Sequence, residues 1–210
     1  MIFRNIFRAI LKDENTEDFK KEVKGLNIKS NSILTFSLFK DGKDLFAYYE
    51  CKGINIEISK ILKAVVIFLE PYPSKEGPRY FIPMMDIFHY NKPIEDNNWR
   101  LSDHKGKPWP RITRIKPEML SSYIFYHHQY QEEKPGDGDK YGIIALNENL
   151  LFFYMEVPEL KEKAKYEGLL KTKNSPYNIW SEVMMPHFMP WEGVAKGQEI
   201  WKEVELIIHM

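Results

Sequence analysis

One cysteine, Cys51, is all the thiol the chain carries. That excludes an internal disulfide and any four-cysteine zinc site, and its place after a strand-like run marks it as a buried apolar side chain. Neither sign of charge dominates. Thirty Lys and Arg balance thirty Asp and Glu, and no stretch gathers like charges into a run. Nucleic acid and anionic membranes, which are recognised through charge, are therefore not expected partners. Long apolar runs are missing too. None approaches the roughly 20 residues that span a bilayer, and Arg4, Arg8 and Lys12 interrupt the N-terminal segment in a way that does not suit a signal peptide. The expected location is the cytoplasm. No glycine-rich phosphate loop occurs, since Gly136-Asp137-Gly138 reads as a turn, and no histidine or carboxylate stands at zinc-site spacing. No metal and no cofactor is expected.

What is present is apolar and aromatic material enough for one sizeable core or two small ones: 43% of 210 residues are hydrophobic and 14% aromatic. It is arranged twice. Leu45-Phe46-Ala47-Tyr48-Tyr49-Glu50 reads against Leu151-Phe152-Phe153-Tyr154-Met155-Glu156, and each half closes on an apolar strand ending in histidine, at His89 and His209. In the first half, strands are expected at 2–11, 32–39, 45–51 and 80–90. A helix capped by Asn15 or Thr16 should run to Lys24, and a second should span 54–70. Lys40-Asp41-Gly42-Lys43 is a hairpin turn with glycine where positive φ is wanted. In the second half, strands are expected at 111–115, 141–146, 150–156 and 201–208, and helices at 117–131, 160–170 and 179–185. The domain reading is residues 1–95, a polar linker at 96–108, and residues 109–210. Strand-helix-strand twice over is the split βαβ order, so the expected fold is α+β: two tandem ferredoxin-like repeats forming an intramolecular dimeric α+β barrel. The chain would then be a monomer closed by its own pseudo-dimer, or a homo-oligomer.

The chemistry-bearing residues lie in the second half. Tyr123 and His127 are four apart on one helix and so share a face. Tyr141 opens the following strand, and Trp180 lies on a later helix. An imidazole near its reference pKa of about 6.5, among phenols and indoles, suits proton transfer on an uncharged polyol whose C–H faces pack on aromatic rings. The plainer reading of these residues is structural: Tyr123, Tyr141 and Trp180 as core aromatics, Phe125, Tyr126 and Tyr130 as packing, Met184, Met185, Phe188 and Met189 as core filling, and His128 as a solvated residue about 100° around the helix.

Lys116-Pro117-Glu118 followed by Tyr123 and His127 resembles the first helix of the L-rhamnose mutarotase family. In register after it, Lys140-Tyr141-Gly142-Ile143-Ile144, Asn149-Leu150-Leu151-Phe152, and Asn174-Ser175-Pro176 leading to Trp180, Val183 and Met184 are similar to that family's later segments. Gly197, Trp201, Glu205 and His209 fit its final strand. Trp180 stands alone where the family has a tryptophan pair. The likeness covers residues 109–210. It implies a sugar mutarotase acting on a small neutral sugar, such as L-rhamnose or another 6-deoxyhexose, without a cofactor. His127 would be the general acid, and Tyr123, Tyr141 and Trp180 would contact the sugar. In the first half, Phe19 and Val23 fall where Tyr123 and His127 do, so that copy is expected to lack a site. Two other readings belong to the same fold: a non-catalytic module binding a carbohydrate or protein partner, and a haem-dependent or cofactor-free oxygenase.

Overall fold

The computed structural model describes residues 1–13, 16–28, 31–94, 99–172 and 175–210. Asn15, proposed as a cap, and Asn174, the start of one resemblance segment, lie outside the described residues. The chain is α+β with antiparallel sheets, and it divides into two compact units that are not the contiguous domains expected. One unit is Met1–Met84, Pro93–Arg100 and Val204–Met210; the other is Met85–Lys92 and Leu101–Glu203.

Strand pairing explains the division. In the first unit the sheet order is Glu205–His209, Ile33–Asp41, Asp44–Lys52, Ile2–Ile10, Ile82–Pro83. In the second, Arg111–Ile115, Leu150–Tyr154, Ile143–Asn147 and Met85–His89 follow in order, and Phe188–Met189 and Lys202–Glu203 both pair with Arg111–Ile115. The strand expected at 80–90 is therefore two strands: Ile82–Pro83 pairs with Ile2–Ile10, while Met85–His89 pairs with Ile143–Asn147. The strand expected at 201–208 divides in the same way, Lys202–Glu203 pairing with Arg111–Ile115 and Glu205–His209 with Ile33–Asp41. Hydrophobic periodicity marks a strand but not its partner, which is why the sequence joined what the sheets separate.

Local expectations fare better. The helix Glu17–Lys24 buries Phe19 and Val23, four apart, and Phe19 meets Phe68 edge-on at 5.9 Å. Thr16 precedes it without a side-chain cap hydrogen bond. Gly42 holds φ +55° in the first hairpin, as the turn requires. Cys51 is fully buried in the first unit's core. The helix expected at 54–70 is only a short turn, Ile58–Ile61, and a 3-10 segment, Lys63–Phe68; β-branched Val65, Val66 and Ile67 disfavour a longer one. Residues 160–170 are not helical. Their backbone is held instead by neighbouring segments: Leu160 N–H donates to Asp139 and Leu169 N–H to Glu132, while the Leu160 carbonyl accepts from Lys140 N–H and the Glu162 carbonyl from the Asn91 amide.

The polar stretch at 96–108 is packed over its described residues. Trp99 is buried in the first unit, where its indole N–H donates to Glu50 Oε2 at 3.0 Å. Arg100 grips the same carboxylate with two bonds, Nε to Oε2 at 2.7 Å and Nη2 to Oε1 at 2.8 Å. Tyr48 O–H donates to Oε1, and Arg4 lies 3.9 Å away. In the second unit, Lys107–Pro108 pairs with Glu156–Val157, and His104 Nε2 is 3.3 Å from Glu156 Oε2. Here Tyr154 O–H donates to Glu156 Oε1 at 2.7 Å. Each unit thus holds a buried Tyr-x-Glu pair with its own cationic or imidazole neighbour.

Burial alone would push the Glu50 carboxyl up, but Arg100, then Arg4 and Tyr48, outweigh it and hold the group below the usual carboxylate range. A folded value under the unfolded reference of about 4.3 means stability that is complete above that pH and lost as pH falls through the folded value. Glu50→Gln should cost about 3 kcal/mol at neutral pH by leaving buried guanidinium groups unpaired, and should flatten the acid limb of the stability curve. Urea midpoints measured from pH 7 down to pH 3 check both.

Candidate active site

The helix Leu120–Glu133 begins beyond a 3-10 turn, Pro117–Met119, whose proline suits a first turn. Its inward face carries Tyr123, His127, Tyr130 and, just past its end, Lys134, at spacings of four, three and four. All four line one cavity of about 520 Å³ within the second unit. His128 is exposed on another face, as expected.

The opposite wall is a row across the sheet. Phe88 pairs with Ile144, Ile144 with Phe153, and Phe153 with Arg111, so these four side chains stand side by side on one face. Trp180, Met184 and Phe188 close one flank, and Trp201 another. Met185, expected in the core, is half exposed at the cavity edge, and Met189 is also exposed.

His127 sits in an aromatic box. Its ring stacks on Tyr123 at 4.0 Å and meets Trp180 and Phe88 edge-on at 5.1 and 5.3 Å. Nδ1 lies 2.9 Å from the Tyr123 carbonyl, which can only accept, so Nδ1 carries the proton and Nε2 the lone pair. Among the described residues neither Nε2 nor the Tyr123 hydroxyl has a hydrogen-bond partner. Burial drives the imidazole pKa down to about 4, the Tyr123 carbonyl opposing and His187 adding to the shift. The same burial pushes the Tyr123 phenol well above its ordinary value, with Tyr90 adding to it. The expectation of a group titrating near 6.5 is therefore corrected: at neutral pH His127 is a neutral acceptor beside a phenol that keeps its proton. Environments that drive two pKa values apart in this way define a base and an acid.

Of the four residues picked from sequence, the fold brings Tyr123, His127 and Trp180 together. Tyr141 is elsewhere: fully buried, its hydroxyl accepts from Leu101 N–H at 3.3 Å and its ring lies 5.5 Å from His104. Tyr90 and Arg111 went unrecognised. Tyr90 is wedged between Gly138 and Gly142, where an added Cβ would come within 2.5 and 2.7 Å of its ring. Gly138 is thus more than a turn residue; it seats a cavity phenol. For Arg111 the signal was parity. Arg111 and Arg114 are three apart on a strand and cannot share a face; Arg114 is exposed against Trp191, and Arg111 turns inward.

Among the described residues no group of three His, Cys, Asp or Glu is placed to hold a metal ion, and no helix is long and apolar enough to cross a membrane. No protein-family model matches the chain, and no curated protein matches it. Among solved structures it is similar to a Fusobacterium nucleatum subsp. nucleatum protein described as a "Putative monooxygenase", at 11% identity and a TM-score of 0.42, over 99% of this chain and 93% of that one. A likeness of that degree transfers neither fold nor activity.

Because His127 titrates in the fold below its unfolded reference of about 6.5, its neutral ring contributes fully above that pH. The contribution is lost as pH falls towards 4, by roughly 3 kcal/mol. Long-range ¹H–¹⁵N spectra should show the Nδ1-protonated neutral ring at pH 5, and His127→Gln should remove that part of the stability loss between pH 6.5 and 4.

Proposed function

We propose that the second unit is a general acid–base enzyme that exchanges the anomers of a small sugar, the reaction implied by the mutarotase resemblance of residues 109–210. The observation that carries it is the pairing of an unengaged His127 Nε2 with an unengaged Tyr123 phenol at the wall of one aromatic cavity. In this reading Nε2 takes the proton of the anomeric hydroxyl as the bond from C1 to the ring oxygen breaks. Tyr123 O–H delivers a proton to that oxygen. The aldehyde turns about C1–C2 and recloses, with both protons returning by the reverse steps. Concerted transfer suits a buried site, because no charge has to stand alone in low dielectric. Aromatic walls suit the C–H faces of the ring, and Trp180 offers one. The sugar of the resemblance is a neutral 6-deoxyhexose such as L-rhamnose, and the role of His127 is base towards the anomeric hydroxyl rather than acid towards the ring oxygen.

For the fold, the proposal is two tandem ferredoxin-like repeats. It is supported by the matched strand orders, by the last strand of each half dividing between the two sheets, and by the buried Tyr48–Glu50 and Tyr154–Glu156 pairs. Phe19 and Val23 occupy the buried helix positions corresponding to Tyr123 and His127, which fits a site in one repeat alone.

A positioned acid or base contributes roughly 10²–10⁴-fold. His127→Ala should lower enzyme-dependent anomer exchange, read by NMR saturation transfer, by that factor. Tyr123→Phe should lower it at least tenfold, a larger effect than loss of one sugar contact. His128→Ala should leave it unchanged. Since the neutral ring is the active form, the rate should be flat from pH 8 to 5 and fall near pH 4. Wild-type exchange in folded His127→Ala would remove the catalytic reading and leave a binding module.

A further inference from the structure

The cavity holds a cation that the proton-transfer reading does not use. Arg111 follows three apolar side chains in the row Phe88–Ile144–Phe153–Arg111, and Glu203 pairs with it on its other side. Its guanidinium lies against rings, 4.3 Å from the centroid of Trp109, 5.0 Å from Phe153 and 5.9 Å from Trp201. Its Nε is buried with no hydrogen-bond acceptor, and its one polar contact is Nη2 to Met155 Sδ at 3.7 Å. Among the described residues no carboxylate forms an ion pair with it. Glu203, the strand partner of Arg111, acts on it through its charge without an ion-pair contact, and that carboxylate accepts from the Trp109 indole at 2.7 Å.

A half-buried guanidinium whose Nε has no acceptor is a costly way to fill a position that an aliphatic side chain could occupy. The rings around it accommodate the cation but offer its Nε nothing to donate to. The remainder of the cavity makes the imbalance larger. Lys134 stands at its rim, its ammonium 4.3 Å from the Tyr177 ring centroid, and among the described residues no Asp or Glu lines the cavity. Tyr90 adds a phenol whose hydroxyl has no protein partner among the described residues; burial, then Glu159 and Asp137, push it above its ordinary value, and Arg111 opposes them. Arg111, Tyr90, Tyr123 and His127 thus all line the one cavity.

We infer that Arg111 and Tyr90 form a carboxylate subsite, and that the physiological ligand of this cavity is a monoanionic organic acid of about monosaccharide size. The planar fork of arginine meets a carboxylate with two parallel N–H donors, and Tyr90 O–H supplies a third. The acid's body would lie along Phe88, Phe153 and Trp180, and its reacting end would reach His127. If the anomer-exchange reading holds, the substrate is a hexuronate, in which the carboxylate replaces the methyl group of a 6-deoxyhexose at C6. The carboxylate subsite itself does not rest on that reading.

Three sugars with one ring configuration, D-galacturonate, D-galactose and D-fucose, differ only at C6 as carboxylate, hydroxymethyl and methyl. Calorimetric titration of the intact chain with each, and with benzoate as a carboxylate that is not a sugar, tests the inference. Galacturonate should bind at least tenfold tighter than galactose or fucose. Arg111→Met should weaken it by about 10–100-fold, the range of hydrogen bonds to a charged group, so that the preference within the series collapses; Arg111→Lys should retain part of it. Without ligand, Arg111→Met should melt no lower than wild type, because it removes a half-buried charge whose Nε has no acceptor. Benzoate binding that depends on Arg111, with no binding by any of the sugars, would uphold the carboxylate subsite and remove the sugar reading. Equal affinities across the C6 series in wild type, with no Arg111-dependent binding of benzoate, would overturn the proposal.

Discussion

The pairing register of the second sheet is the constraint on which the cavity depends. Side chains alternate faces along a strand, so the pairs Phe88–Ile144, Ile144–Phe153 and Phe153–Arg111 put four side chains on one face only while each strand keeps its place. A slip of one residue between Arg111–Ile115 and Leu150–Tyr154 would turn Ile112 towards the helix and Arg111 away from it. The register is held by burial on both faces, since Ile112, Ala145 and Phe152 on the opposite face are also buried. The Asn149 side chain braces the same place, donating to the Ile115 carbonyl at 3.0 Å.

Once that row is set, desolvation does the rest of the chemistry. The ring stack on Tyr123 and the edges of Phe88 and Trp180 leave His127 only about 5% exposed. The helix's own geometry supplies the tautomer, because the carbonyl four residues back is the one within reach of Nδ1. A surface histidine with the same neighbours in sequence would titrate near 6.5 and rotate freely. Here burial lowers the imidazole and raises the phenol, so a single physical cause keeps the ring neutral and the phenol protonated at neutral pH.

Buried polarity is handled in two different ways in this chain. Glu50 is surrounded by Arg100, Arg4, Tyr48 and Trp99, and every lone pair facing the core is answered. Arg111 is half-buried among rings and the Met155 sulfur, with its Nε left over. The first charge is matched by hydrogen bonds within the fold; the second keeps an unmet donor.

Much of this was legible in the amino-acid sequence. Local pattern was enough for the hairpins at 33–52 and 143–154 and for the helix that carries Tyr123 and His127 on one face. These depend on turn chemistry and on periods of 2 and 3.6, which are properties of neighbours in the chain. Partners were decided only by the tertiary structure. It divided residues 80–90 and 201–208 between two sheets, drew Trp99 and Arg100 out of a presumed linker onto Glu50, and placed Tyr141 beside His104 rather than in the cavity. It also turned Arg111 inward and took His127 out of water. Pairing, burial and the pKa values that follow from burial are set by residues distant in sequence, and no local pattern encodes them.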